Sequence, residues 1–98
     1  MLTKLLICSN ETFGLGHLRI VLKLSAFLQA EHPDLAILLL TGSSMLHGFR
    51  LPPGVDAVKL PSLLIESRMR YTSKYLPLPF EEVKQLRERI ILETALAY

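Results

Sequence analysis

Leu5-Leu6-Ile7-Cys8-Ser9-Asn10-Glu11-Thr12-Phe13-Gly14-Leu15-Gly16-His17 is the stretch on which the fold of this chain turns. An apolar run passes through polar residues into two glycines separated by Leu15, and the apolar spacing changes from there on. Leu2 to Cys8, with Lys4 near its start, reads as a strand buried on both faces. From His17 to Glu31 the period is helical. Ile20, Val21, Leu24, Phe27 and Leu28 fall on one side at about 100° per residue, with Arg19, Lys23 and Gln29 on the other. A strand, a glycine turn and a helix in that order open an α/β unit.

The rest of the chain extends the pattern. His32-Pro33-Asp34 stops the helix, because proline cannot continue it and disfavours helix at the residue before. Leu35 to Leu40 is a second continuous apolar run, punctuated by Thr41-Gly42, as expected of a parallel strand. Ser43 to Arg50 reads as a short helix or turn. Pro52-Pro53-Gly54 breaks the chain before a third strand at Val55 to Leu60. Right-handed crossovers would set the three strands side by side in one sheet. Pro61 to Pro79 is expected to be a long loop carrying Arg68, Arg70 and Lys74 among Tyr71 and Tyr75. Phe80 to Tyr98 is the second long helix, with Pro79 at its start, Glu81 and Glu82 in its first turn, and Val83, Leu86 and Ile90 at helical spacing. No glycine cap or further strand follows Ala95-Leu96-Ala97-Tyr98, so the expectation is a truncated domain with an unsupported terminal helix face.

Composition narrows the classes. The 98 residues are 50% hydrophobic and 20% charged, which describes a globular chain rather than a disordered one. A net charge of +2 is too small to imply nucleic acid, and no nucleic-acid partner is expected. Cys8 is the only cysteine, so no internal disulfide forms, and its apolar setting favours a buried structural thiol over a nucleophile. The longest apolar run is far below the ~20 residues of a spanning helix, and Leu5 to Cys8 is shorter than the ~7–15 residues of a signal-peptide core. A cytoplasmic protein is the expectation, with contact at a membrane surface left open.

The glycine turn is the candidate site. Glycines permit a tight turn and close backbone approach, and the first amides of the following helix are unpaired donors that favour a phosphate or developing anion. His17 would stand in the first helical turn, above the strand ends where open α/β sheets place their clefts. Packing alone is the plainer account of such glycines. A dinucleotide fingerprint fails on two counts: position 19 is Arg19 rather than glycine, and Leu40-Thr41-Gly42 stands where a ribose-binding acid is needed. No Walker-type glycine-lysine-serine/threonine run occurs. His32 and His47 have no partner at metal-ligand spacing, and neither a metal nor a cofactor is expected.

The run Leu6 to Arg19 resembles the N-terminus of a bacterial group of glycosyltransferases related to the MurG-like enzymes of glycosyltransferase family 28. The resemblance continues through His32-Pro33-Asp34-Leu35, Leu39-Leu40-Thr41-Gly42-Ser43, Leu46-His47-Gly48-Phe49, Leu51-Pro52-Pro53-Gly54-Val55-Asp56 and Val58-Lys59-Leu60-Pro61-Ser62. It implies a GT-B fold of two Rossmann-like domains, of which residues 1–98 are part of the N-terminal, acceptor-side domain and the C-terminal, donor-binding domain is absent. It further implies His17 as a general base on an acceptor hydroxyl. Gly14, Leu15, Gly16, Arg19, Ser9, Asn10, Thr41, Gly42 and Ser43 would line an acceptor or phosphate cleft. Ile20 departs from the pattern, where close relatives carry a second basic residue after Arg19. The implied partners are a nucleotide-sugar donor, held by the missing domain, and an unidentified acceptor, so the fragment alone is expected to be inactive.

Two alternatives accompany this expectation. One is a nucleotide-sugar hydrolase on the same scaffold, with His17 activating water. The other is a non-catalytic binding or assembly module that self-associates through the exposed terminal helix. For the basic residues of the 61–79 segment, a phosphorylated acceptor, a membrane surface or a partner competes with a merely solvated loop.

Overall fold

The computed structural model describes residues 3–9, 16–66 and 70–98. Its element order is β1 (Thr3–Ser9), α1 (Gly16–Glu31), β2 (Leu35–Thr41), a single 3-10 turn at Leu46–Gly48, β3 (Val55–Lys59), β4 (Leu63–Glu66), β5 (Arg70–Ser73) and α2 (Phe80–Ala97). The first three strands form a parallel sheet in the order β1-β2-β3. The chain is therefore α/β, with a parallel sheet and two long helices.

β2 takes the central place because it is apolar on both of its faces. Ile37, Leu39 and Leu40 are at most 2% exposed, and Thr41 at its end is fully buried. Leu39 packs in one cluster with Leu18, Leu22 and Leu46, flanked by Ile7, Val21, Phe49, Leu51 and Ala57. A second cluster joins Leu35, Ile37 and Val55, with Leu5, Ile7 and Leu28 against it. Successive strand residues point to opposite faces, so Leu35, Ile37 and Leu39 share the side that α1 covers. The last turns of α2 reach Leu38 on β2, where Glu93, Thr94, Ala97 and Tyr98 border the same depression. There the Tyr98 hydroxyl donates to Ala36 O, and Lys4 Nζ donates to Tyr98 O at 3.0 Å.

The face of α1 differs from the one its periodicity suggests. Leu18, Leu22 and Ser25 are the buried residues, whereas Ile20 is 65% exposed and Phe27 62%. Leu24 is exposed as well, and only Val21 and Leu28 of the expected stripe are partly covered. The packed face is turned by about 100°, one residue's rotation. The helix is apolar over more than half its girth, so period alone does not choose a flank. The small Ser25 is fully buried on the same side as Leu18 and Leu22.

β1 is also less enclosed than expected. It is an edge strand of the described sheet, its burial rises only towards Ser9, and Cys8 is exposed rather than a buried structural thiol. The segment 61–79 is not a featureless loop: β4 and β5 pair antiparallel, Leu63 with Ser73 through Glu66 with Arg70. Ile65, Tyr71 and Thr72 are the β-branched and aromatic types that such strands favour. The hairpin is held to α2 by the stacked rings of Tyr71 and Phe80, 6.0 Å apart, while Arg87 of α2 donates to Pro61 O. Within α2, Val83 is buried, Ile90 is half-buried and Leu86 remains exposed. Among the described residues, no helix is long and apolar enough to cross a membrane. Arg68 lies outside the described residues.

Gly54 makes the turn into β3 at φ 76°, where a side chain is strained, and a Cβ there would come within 2.5 Å of Gln29 Nε2. Gly54→Ala is expected to destabilise the chain by more than ~1 kcal/mol, measured by urea unfolding. Adding Gln29→Ala should relieve the clash and leave the φ cost. In the same assay Leu22→Ala should cost about 2–5 kcal/mol, and Phe27→Ser should stay within about 0.5 kcal/mol. The reverse ranking would return the packed face of α1 to the Ile20–Leu24–Phe27 side.

Candidate functional site

The carboxyl ends of the three parallel strands lie in one row, because Ser9 is in register with Thr41 and Thr41 with Lys59. Ser9, Thr41 and Lys59 each end one strand of this row.

At the β1 end, Ser9 is 4% exposed and its Oγ has no hydrogen-bond partner among the described residues. A buried hydroxyl without a partner costs about 1–3 kcal/mol, so its presence calls for an account. Ser9 borders a shallow depression of about 300 Å³ together with Cys8, His17, Ile20 and Val21. His17 stands exposed in the first turn of α1, which carries no acidic residue there to compete with an anion. Gly16 opens the helix, and a Cβ on it would meet nothing within 4 Å, so the space over its backbone is open. Ser9, Gly16 and His17 are thus brought together. Arg19 is exposed two residues further on, about 200° round the helix from His17, and does not border the depression. Asn10, Gly14 and Leu15 lie outside the described residues.

At the β2 end, Thr41, Gly42 and Ser43 are buried and occupied by the chain's own hydrogen bonds. Ser43 N donates to Thr41 Oγ1 at 3.1 Å, and Met45 N donates to Ser43 Oγ at 3.2 Å. Leu60 N donates to Thr41 O at 2.8 Å, and Ser62 Oγ donates to Gly42 O at 2.6 Å. These three residues form the joint that fastens the strand ends to the β4–β5 hairpin.

At the β3 end lies a group that sequence reasoning did not assemble. Lys59 Nζ donates to Leu60 O at 2.6 Å and to Ser62 Oγ at 2.8 Å. Lys74 N donates to Ser62 O, which pulls the end of the hairpin onto the sheet, and Lys74 Nζ donates to Ser44 Oγ at 3.0 Å. The same ammonium lies 5.4 Å from the centre of the Tyr75 ring. The Ser44 hydroxyl hydrogen-bonded to Tyr75 holds its phenol below the ordinary value; the positive charges of Lys74 and Lys59 act in the same direction, and burial opposes them. Ser44 and Lys74 are 30 positions apart in the chain, so no local motif announces the pair. Among the described residues, no group of three His, Cys, Asp or Glu side chains is placed to hold a metal ion.

Comparison of the chain with protein-family models, with curated proteins and with solved structures gives no match.

Tyr75 should ionise below the ordinary tyrosine value of about 10, followed by phenolate absorbance and assigned by the difference from a Tyr75→Phe variant. Ser44→Ala and Lys74→Gln should each move its midpoint upward. An unchanged midpoint in both variants would dissolve the cluster.

Proposed function

We propose that this chain is the acceptor-side part of a glycosyltransferase of the GT-B, MurG-like kind, with His17 as the general base. The observation that carries the proposal is the orphaned Ser9 hydroxyl, which shares a depression with His17 at the carboxyl end of a parallel sheet. Open α/β sheets bind ligands at that edge. The resemblance of the turn and of the stretches after it supplies the reaction class.

The chemistry follows from the side chains. An imidazole nitrogen of His17 takes the proton of an acceptor hydroxyl while that oxygen bonds to the anomeric carbon of the donor sugar. The bond from that carbon to the nucleoside diphosphate breaks, and the diphosphate leaves with the electron pair. Ser9 Oγ, with no partner among the described residues, gives and accepts a hydrogen bond to the acceptor and fixes the hydroxyl beside His17. The N-terminal amides of α1 favour negative charge near the same point. The donor would be held by a facing domain, across the cleft.

The test is turnover of the intact gene product with nucleotide sugars, in the presence and absence of an acceptor. His17→Ala should lower kcat by about 10²–10⁴-fold, and Ser9→Ala should raise KM for the acceptor more than it lowers kcat. Unchanged turnover in His17→Ala removes the base from the mechanism. Release of free sugar without acceptor, dependent on His17, would make the protein a hydrolase instead.

A further inference from the structure

The β4–β5 hairpin borders a second hollow, away from the residues used by the mechanism above. A groove of about 720 Å³ is lined by all four residues of β5, Arg70–Ser73, and by residues 76–80, where the chain runs on into α2. Successive side chains of a strand point to opposite faces. A hollow that touches four of them in a row therefore runs along the edge of the strand rather than over one face.

That edge is unpaired. β4 and β5 form a two-stranded sheet of their own, so β5 has a neighbour on one side only. Lys74 N donates to Ser62 O at 3.0 Å, one step beyond the pairing of Leu63 with Ser73. Antiparallel pairs alternate between those that exchange hydrogen bonds and those that do not. The Lys74 bond sets the phase: Arg70 and Thr72 turn their backbone groups toward β4, while Tyr71 and Ser73 turn theirs toward the groove. Among the described residues, no other element gives Tyr71 or Ser73 a backbone hydrogen bond.

The facing wall is Leu76-Pro77-Leu78-Pro79, and it does not satisfy the edge. Its two prolines have no N–H to donate, and Leu78 N is spent on Leu76 O at 2.8 Å. Leu76 and Leu78 are exposed and make this wall apolar. Arg70, open to solvent, marks one end of the groove; Glu66 stands opposite it in the register, and among the described residues no ion pair closes between them. Edge strands are commonly guarded by proline or a bulge. β5 has no proline, and its Tyr71 and Thr72 favour extended pairing.

The geometry points to this groove as a docking site for an extended peptide that adds to β5 as a third strand, with apolar side chains against Leu76 and Leu78 and a carboxylate at Arg70. Three steps along β5 give the contact a length of about 10 Å. In this mode main-chain bonds supply affinity and alternate side chains supply selectivity. A small apolar anion would use the leucines and Arg70 but leave Tyr71 and Ser73 unpaired, so the edge is what selects a peptide. The site stands without the glycosyltransferase reading.

The experiment titrates the isotope-labelled full chain with an end-capped hexapeptide, a glutamate followed by alternating valine and threonine, and follows amide resonances. Saturable shifts centred on Tyr71 and Ser73, with none at His17, are expected. The same peptide with every backbone nitrogen methylated keeps its side chains and loses its donors, and should bind at least about tenfold more weakly. Ser73→Pro removes one outward N–H without touching the bonds to β4, which an edge strand permits. It should weaken binding about two- to tenfold, with slow exchange of the Lys74 amide showing that the hairpin is intact; the methylated peptide needs no variant and tests the edge independently. Lysine in place of the peptide's glutamate should cost about 1.5- to 5-fold, the worth of an exposed ion pair. Equal binding of the methylated peptide, or shifts that do not saturate, overturns the proposal. Saturable filling of the groove by phenylpropionate without any response to the peptide also overturns it, and makes the groove a small-ligand pocket.

Discussion

The burial of β2 is the constraint on which the structure depends. A central strand in a parallel sheet gives its backbone to two neighbours and its side chains to two layers, so an uninterrupted apolar run can occupy no other place. Leu35 to Leu40 supplies that run. Once it is central, β1 and β3 must lie on either side, α1 must cover the Leu39 face, and Thr41 must be buried between the ends of its neighbours. The row formed by Ser9, Thr41 and Lys59 is a consequence of that pairing. It brings two chemically different ends onto one edge, a histidine with an unsatisfied hydroxyl and a pair of lysines.

The middle of this row is rigid, which gives the edge its meaning. Ser62 accepts from Lys59, donates to Gly42 O and receives Lys74 N at its carbonyl, so sheet and hairpin share one residue. Hydrogen bonds of this kind are individually modest, about 1 kcal/mol each, but a buried set that is mutually satisfied permits little relative motion. The cost of assembling such a joint is already met before a ligand arrives.

The elements legible in the sequence are those whose residues answer to a single environment. β2 is apolar throughout and α2 begins with proline and two glutamates, so both were readable at their true places. The strand before His17 and the helix that carries it were also readable, as was Ser9 at the strand's end. α1 was legible as a helix but not in its orientation, since its apolar residues surround most of the axis and only contact with β2 selects Leu18 and Leu22. The β4–β5 hairpin was hidden because each strand has only four residues, too few to establish a period against the charged and proline-rich surroundings. Lys59 and Lys74 were visible as isolated cations, yet their convergence arises from a hairpin folding back across the sheet, which spacing along the chain does not encode.

The contact between Lys4 and Tyr98 joins residues 94 positions apart, through a hydrogen bond and an ammonium 5.5 Å from the ring centre. A contact of that span closes almost the whole chain into a loop, and its entropy must be lost before the contact returns anything. Helices and the local hairpin form quickly; this closure belongs to the slow, non-local class. In vectorial synthesis β1 therefore emerges long before its lysine meets the residue that pins it. Until then the edge strand that carries Cys8 and Ser9 relies on β2 and on its packing with α1, and the order of assembly runs from the centre of the sheet outward.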